Sequence, residues 1–272
     1  MSARLWIGGE SWQCKDWAGV FYSEGVKPKD MLTEYARVFN AVAVDATFYG
    51  MPRATSVEEW RGRTPDDFRF AMKVPRRVTH QLRFREADSL FAVFLERARL
   101  LGPKLGPILI QCPPDFGPTP GNRRTLFEFL ESQLPDDIRF ALELRDQGWY
   151  DEQLFAFARA CGFALAAAES EHSPMPLTTK IIERHVSDPP ADFIYLRFMG
   201  DTEFAQYNRK QFDRGASLAA WAPLIRSLRA KLADVFAFVS NDYEGYAPAT
   251  IRDLLARLGE PLPPETTAPR LL

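Results

Sequence analysis

Residues Ile138–Ala168 read IRFALELR, then DQGWY, then DEQLFAFARAC, a glycine, and FALAAA. A short run of alternating apolar residues is followed by a turn, a longer amphipathic run and a second short apolar run. That order predicts strand, helix, strand. The same unit recurs along the chain. Strands are expected at Leu5–Gly9, Ala41–Thr47, Phe68–Val74, Pro107–Cys112, Ile138–Arg145, Phe163–Ala168, Phe193–Met199 and Val235–Asn241. Helices are expected at Lys29–Phe39, Ser56–Arg63, Ala87–Leu101, Arg123–Gln133, Asp151–Cys161, Ser217–Leu232 and Ala249–Leu258. The pattern fades only over Glu169–Asp192, where Pro174, Pro176, Pro189 and Pro190 leave room for one weak helix near Lys180–Val186.

Eight βα units in 272 residues predict a single-domain α/β protein, a (β/α)8 TIM-type barrel over residues 1–258 with a Pro-rich tail at 259–272. An open doubly wound sheet is the alternative. It calls for G-x-G-x-x-G after the first strand, and the turn here reads Gly8-Gly9-Glu10-Ser11-Trp12. Composition agrees with a globular domain: 46% hydrophobic, 26% charged, net charge −2. Such a balance excludes disorder, collagen, coiled coil and a bulk nucleic-acid coat, while allowing a local basic patch. Three cysteines at wide spacing predict no disulfide framework and a cytoplasmic setting. The first residues are too short an apolar run for a signal peptide, and no run approaches the roughly 18–20 residues of a membrane span. No membrane partner is therefore expected.

Strand parity locates the polar groups, because side chains alternate across a strand. With the large apolar residues facing the helices, Ala43, Asp45 and Thr47 of the second strand point inward, and Val42, Val44 and Phe48 outward. The later strands send inward Ala71 and Lys73, Leu109 and Gln111, Ala141, Glu143 and Arg145, then Tyr195, Arg197 and Met199. Asn241 and Asp242 end the eighth strand. Asp45, Lys73, Gln111, Glu143, Arg145 and Arg197 thus gather toward the C-terminal strand ends, the rim where barrel active sites lie. Unpaired charge is costly to bury. Five charges at one rim therefore point to a pocket, with an internal ion-pair network as the competing explanation. Three cations against two carboxylates leave a positive surplus suited to a small phosphate- or carboxylate-bearing ligand.

Two further signals attach to the rim. Phe68–Arg85 reads FRFAMKVPRRVTHQLRFR, without an acidic residue, and adds Arg76 and His80. It is read equally as a phosphate or nucleic-acid contact and as a solvated loop balanced by Asp66, Asp67, Glu86 and Asp88. Aromatic residues crowd the loops after the strands. Most are expected to pack those loops down, while Trp12, Tyr49 and Trp149 are the candidates to stack a ligand ring. Glu143 and His80 are the candidate proton carriers. Lys73 is a charge stabiliser or a Schiff-base amine, and Arg145 and Arg197 stabilise anionic charge. Three histidines argue against a His/Cys zinc site. Mg²⁺ on Asp45, Glu143 or Asp242 stays open, so the cofactor is undetermined.

Several stretches together resemble the YecE-like family, domain of unknown function 72. They include Trp12 to Phe21-Tyr22, Phe39-Asn40, Thr47-Phe48-Tyr49, Lys73-x-Pro75-Arg76 with Thr79-His80-x2-Arg83, and Gln111-x-Pro113-Pro114. Later come Glu143-x-Arg145-x3-Trp149, Tyr195-x-Arg197-x2-Gly200, Trp221-Ala222 and Asn241-Asp242-x2-Gly245-Tyr246-Ala247. The resemblance implies a (β/α)8 barrel and no settled activity; a metal-dependent, DNA-directed nuclease rests on fold analogy alone. The chain departs from the family where Ala43-Val44-Asp45 replaces Glu-x-Asn, where Asp146 and Met199 replace histidines, and where Ser240 replaces an asparagine. The leading expectation is a hydrolase of phosphoester type with a small anionic ligand. The alternative is a non-catalytic protein that binds a nucleotide-like ligand or nucleic acid.

Overall fold

Each apolar run becomes a strand parallel to its neighbours, because an amphipathic helix or a long loop carries the chain back between them. The computed structural model describes residues 3–170, 175–200 and 202–265. The strands are β1 Arg4–Gly9, β2 Ala41–Val44, β3 Arg69–Lys73, β4 Leu105–Gln111, β5 Phe140–Glu143, β6 Ala164–Leu165, β7 Ala167–Glu169, β8 Phe193–Phe198 and β9 Asp234–Val239. The helices are α1 Pro28–Tyr35, α2 Ala46–Tyr49, α3 Ala54–Gly62, α4 Asp88–Arg99, α5 Pro120–Gln133, α6 Glu152–Cys161, α7 Met175–Ser187, α8 Gly215–Arg229 and α9 Ala247–Leu258. Two parallel sheets result, in orders β1-β9-β8-β7 and β2-β3-β4-β5-β6. Of the expected tail, 259–265 follow α9 without helix or strand, and 266–272 lie outside the described residues. Among the described residues no helix is long and apolar enough to cross a membrane.

Helix α6 shows how locally the stretch around it is determined. Asp151 caps it by accepting the Leu154 N–H at 2.9 Å, and Gly162 ends it at φ +70°. Three expectations need correction. The second strand stops at Val44 rather than Thr47, and Ala46–Tyr49 turn helically. The cause is Thr47, whose hydroxyl lies 2.8 Å from the Val44 carbonyl and 2.7 Å from that of Lys73 and accepts the Lys73 N–H at 3.1 Å. The sixth strand is split: Ala166 donates to Leu142 of β5, and the next residue already pairs with β8. The helix near Lys180–Val186 runs the full length of α7, prolines nearby notwithstanding.

Between the two sheets lies an interior filled unequally. Trp6, Phe193, Tyr195, Phe236 and Phe238 come from one sheet, and alanines with Leu109 come from the other. Large rings from one side meet small side chains from the other, the complementarity that close packing requires. At the amino end of the strands Trp6 donates to Asp234 at 2.8 Å and lies under the guanidinium groups of Arg69 and Arg4.

Where β1 faces β2, two side chains stand in for the missing ladder. Asn40 donates to the Leu5 carbonyl at 2.9 Å and accepts from the Ile7 N–H at 2.8 Å. The Tyr35 hydroxyl donates to the Ala41 carbonyl at 3.0 Å and accepts from the Gly9 N–H at 2.7 Å. Gly8 permits this approach, since a Cβ there would lie 1.8 Å from the Ala41 carbonyl oxygen.

Candidate active site

Inward parity on β1 runs Trp6, Gly8 and, one step past the strand, Glu10. That step places Glu10 beside Arg197 of β8. The guanidinium is 1% exposed and is the centre of the site. Its Nε and Nη2 donate to Glu10 Oε1 at 2.9 and 2.6 Å, and its Nη1 donates to Glu143 Oε2 at 2.7 Å. Asp45 Oδ2 lies 3.9 Å from the same Nη2. The β4–β5 register sets Gln111 opposite Glu143, and Gln111 donates to Glu143 Oε1 at 2.6 Å. Arg145 approaches that oxygen at 3.5 Å. Lys73, buried at the end of β3, has its Nζ 3.6 Å from Asp45 Oδ2 and 4.3 Å from the centre of the Phe48 ring. Phe48, expected on the helix side, instead walls the site because α2 turns it over Lys73.

The sequence count of three cations against two carboxylates is therefore corrected to three against three, with Glu10 the missing acid. The charges are nonetheless polarised. Glu10 and Glu143 spend themselves on Arg197. Among the described residues the Lys73 ammonium has no hydrogen-bond acceptor, only the Asp45 contact at 3.6 Å. Among the described residues the Arg145 guanidinium has only its 3.5 Å ion-pair contact with Glu143. His80 sits on this cationic side, its ring edge-on to Phe48 at 4.9 Å and its Nδ1 2.8 Å from the Thr79 hydroxyl. Arg76 is exposed nearby. The loop carrying them includes a π turn at Arg77–Gln81 and left-handed backbone at Arg83, Phe84 and Glu86. Phe84, buried against Phe116 and Phe129, holds that loop in place.

Burial and charge pull the ionisable groups apart. Burial raises Glu10 to about 7, against the attraction of Arg197. Burial pushes Glu143 the same way, but Arg197, Arg145, Gln111 and Lys73 overcome it and hold that carboxyl at about 2. Burial and then Arg197 lower the Lys73 ammonium, with Asp45, Glu10 and Glu143 opposing. Burial, with Lys73, Arg145 and Arg76, brings His80 down to about 4, so its imidazole is neutral at physiological pH. Glu143, expected as a proton carrier, is thus a fixed anion. The carboxyl that exchanges its proton near neutrality is Glu10.

Not every candidate joins this constellation. Trp12 is buried edge-on to Trp60 and Phe70. Trp149 is buried on Phe116 and donates to the Phe116 carbonyl at 2.6 Å. Neither can stack a ligand, because protein rings already occupy their surroundings. Tyr49 is 81% exposed. Asn241 accepts the Ala247 N–H at 3.1 Å, Asp242 accepts from the Tyr207 hydroxyl, and both border a small cavity that reaches Glu10. Asp146 serves its own turn by accepting the Gly148 N–H at 2.8 Å. The proposed Mg²⁺ ligands do not fit a metal: Asp45 faces Lys73, Glu143 is held by Arg197 and Gln111, and Asp242 is bonded to Tyr207. Among the described residues no group of His, Cys, Asp and Glu side chains forms a metal-ligand set. Glu10 was within reach of sequence reasoning, through the parity of β1. Phe48 was not, because its position depends on a turn set by Thr47.

The sequence profile described as "Protein of unknown function DUF72" matches residues 6–271. The UPF0759 protein YecE of Escherichia coli K12 is 36% identical over 141 residues, which is 52% of this chain and 48% of that protein. The UPF0759 protein YunF of Bacillus subtilis is 30% identical over 169 residues, 58% of each. The matched region thus spans about half the length of these curated relatives. A DUF72 family protein from Thermotoga maritima superposes with TM-score 0.76 at 25% identity, covering 94% of this chain and 99% of that one. One from Enterococcus faecalis gives TM-score 0.72 at 21% identity, covering 96% and 99%.

Proposed function

This chain belongs to the DUF72 family, and from that premise we propose that its two sheets act as one (β/α)8 barrel domain over residues 1–258 whose rim binds a small anion and hydrolyses a phosphoester-type substrate. The observation that carries this reading is the Lys73 side chain, only 6% exposed, whose ammonium has no hydrogen-bond acceptor among the described residues and keeps its remaining contact with solvent. A largely desolvated cation open on one side favours the oxygen an anionic ligand would bring. Lys73 and Arg145 hold the anion, with neutral His80 beside them. Glu10 donates its proton to the leaving oxygen as the ester bond breaks. The attacking water supplies the new P–O bond, and the proton it sheds goes to His80. Glu143 is a positioning residue that keeps Arg197, and so Glu10, in place. The three free cysteines, Cys14, Cys112 and Cys161, suit a cytoplasmic setting.

Sulfate tests the binding step because its own charge is constant across neutral pH. Calorimetry at pH 6 should show saturable sulfate binding, weakened at least about tenfold in Lys73→Met and in Arg145→Met, a loss of roughly 1.4 kcal/mol or more. Binding indifferent to both substitutions, or none at all, overturns the assignment. A second reading, non-catalytic binding of a nucleotide-like ligand or nucleic acid, draws on the exposed Tyr49 ring beside Phe48 and on exposed Arg76, Arg77 and Arg85. It predicts oligonucleotide affinity that falls steeply with salt.

A further inference from the structure

The eight lysines of the chain differ in how their amines are held. Lys15, Lys27, Lys29 and Lys231 are exposed. Lys104 is buried, but donates to the carbonyls of Arg61 and Thr64 at 2.8 and 2.6 Å. Lys180 donates to the Tyr150 carbonyl at 3.0 Å, and Lys210 lies between the carboxylates of Glu244 and Asp253. Among the described residues Lys73 alone is withdrawn from bulk water without gaining an acceptor, and its nearest carboxylate oxygen is Asp45 Oδ2 at 3.6 Å. The Phe48 ring covers one side of Nζ at 4.3 Å, and its face attracts the charged form. Burial, then Arg197, nevertheless lowers the ammonium against the pull of Asp45, Glu10 and Glu143. A lysine amine kept from water beside another cation is activated as a nucleophile toward carbonyl carbon.

We infer that Lys73 is a nucleophile that forms a Schiff base with a small aldehyde or ketone bearing an anionic group. The inference shares Arg145 with the anion site proposed above and does not require ester hydrolysis. Lys73 serves the first role as ammonium and this one as free amine, never both at once. Arg145, whose guanidinium has only the 3.5 Å contact with Glu143 among the described residues, takes the anionic group. The Nζ lone pair forms a C–N bond to the carbonyl carbon as the C=O π pair moves to oxygen. Both amine protons then leave with that oxygen as water, and the C=N bond closes. Asp45, 3.6 Å from Nζ, is the base placed to carry those protons, directly or through one water. No oxidant or reductant is consumed.

The test traps the imine on the intact protein. Cyanoborohydride delivers hydride to the imine carbon, and solvent a proton to nitrogen, leaving a stable secondary amine. The probes are glycolaldehyde phosphate and its neutral parent glycolaldehyde, and peptide mass spectrometry reads the labelling of each lysine. At pH 7 Lys73 should label with glycolaldehyde phosphate at least about tenfold faster than the exposed Lys15, Lys27, Lys29 and Lys231 of the same sample. Urea should abolish that excess, because unfolding makes the amines alike. Glycolaldehyde should show a smaller excess. Arg145→Met should remove the advantage of the phosphate while the excess with glycolaldehyde remains, which also reports that the variant is folded. If Lys73 labels no faster than the exposed lysines, or keeps its excess in urea, while sulfate binds, the Schiff base is wrong and the anion site stands. If Lys73 keeps its excess in the folded protein alone but sulfate does not bind and the phosphate confers no advantage, the anion site is wrong and the nucleophile stands. If neither labelling nor sulfate binding appears, both fall.

Discussion

Replacing Arg197 by methionine removes the group that, among the described residues, hydrogen-bonds to both buried carboxylates. Breaking a buried ion pair from one side typically costs about 3–5 kcal/mol, because the remaining charge is left without compensation. Two carboxylates lose their partner here, but the loss is not doubled. Glu10 already titrates at about 7 and takes up a proton when the guanidinium goes. Glu143 keeps Gln111 at 2.6 Å and Arg145 at 3.5 Å. The expected destabilisation is therefore about 3–5 kcal/mol at pH 8. For a chain of this size it lowers Tm by roughly 6–20 °C, taking about 2–4 °C per kcal/mol. The loss should shrink as pH falls toward 5. Losing the guanidinium raises both carboxyls, Glu10 further above its ordinary value, and a group so raised favours folding progressively less as pH rises. Scanning calorimetry of wild type and Arg197→Met at pH 5 and pH 8 measures this directly, and adding Glu10→Gln and Glu143→Gln should restore most of the lost stability. A Tm within about 2 °C of wild type at pH 8, with no pH dependence in the difference, would refute the claim that Arg197 holds two desolvated carboxylates.

The same geometry sets other outcomes. The unfolded chain releases the Glu10 proton near 4.5 and the folded chain near 7, so the group's burial weakens folding between those values by up to roughly 3 kcal/mol. Urea titrations should accordingly show Glu10→Gln gaining stability relative to wild type between pH 5 and pH 8. Sulfate should bind more tightly at pH 6 than at pH 8, since protonated Glu10 leaves the rim with a surplus positive charge. Isothermal titration that finds no such trend removes Glu10 from the anion site's electrostatics. Asn40→Ala should cost about 1–3 kcal/mol by denaturant unfolding, because the Leu5 carbonyl and Ile7 N–H lose their bridge at the β1–β2 seam. Lys104→Met should cost a similar amount, since Lys104 donates to the Arg61 and Thr64 carbonyls at 2.8 and 2.6 Å.

What could be read from the residues alone is the part of the molecule that repeats. Alternation fixes which face of each strand is apolar, and Asp45, Lys73, Gln111, Glu143 and Arg197 converge as parity requires because every strand runs the same way. The pairing of Gln111 with Glu143 needed the structure, since parity alone carries the fifth strand inward as far as Arg145, whereas β5 ends at Glu143. Only the tertiary structure could decide which charges neutralise which. Arg197 sits 187 residues from Glu10 and 54 from Glu143, and its allegiance depends on how far each loop tips toward the centre. It also decided that Thr47 ends β2 and drops Phe48 over Lys73, and that Trp12 and Trp149 are spent on packing. Periodicity is a local property, dictated by where each side chain leaves the backbone. Charge balance and burial are sums over distant groups, and they take values only once the sheets bring those groups together.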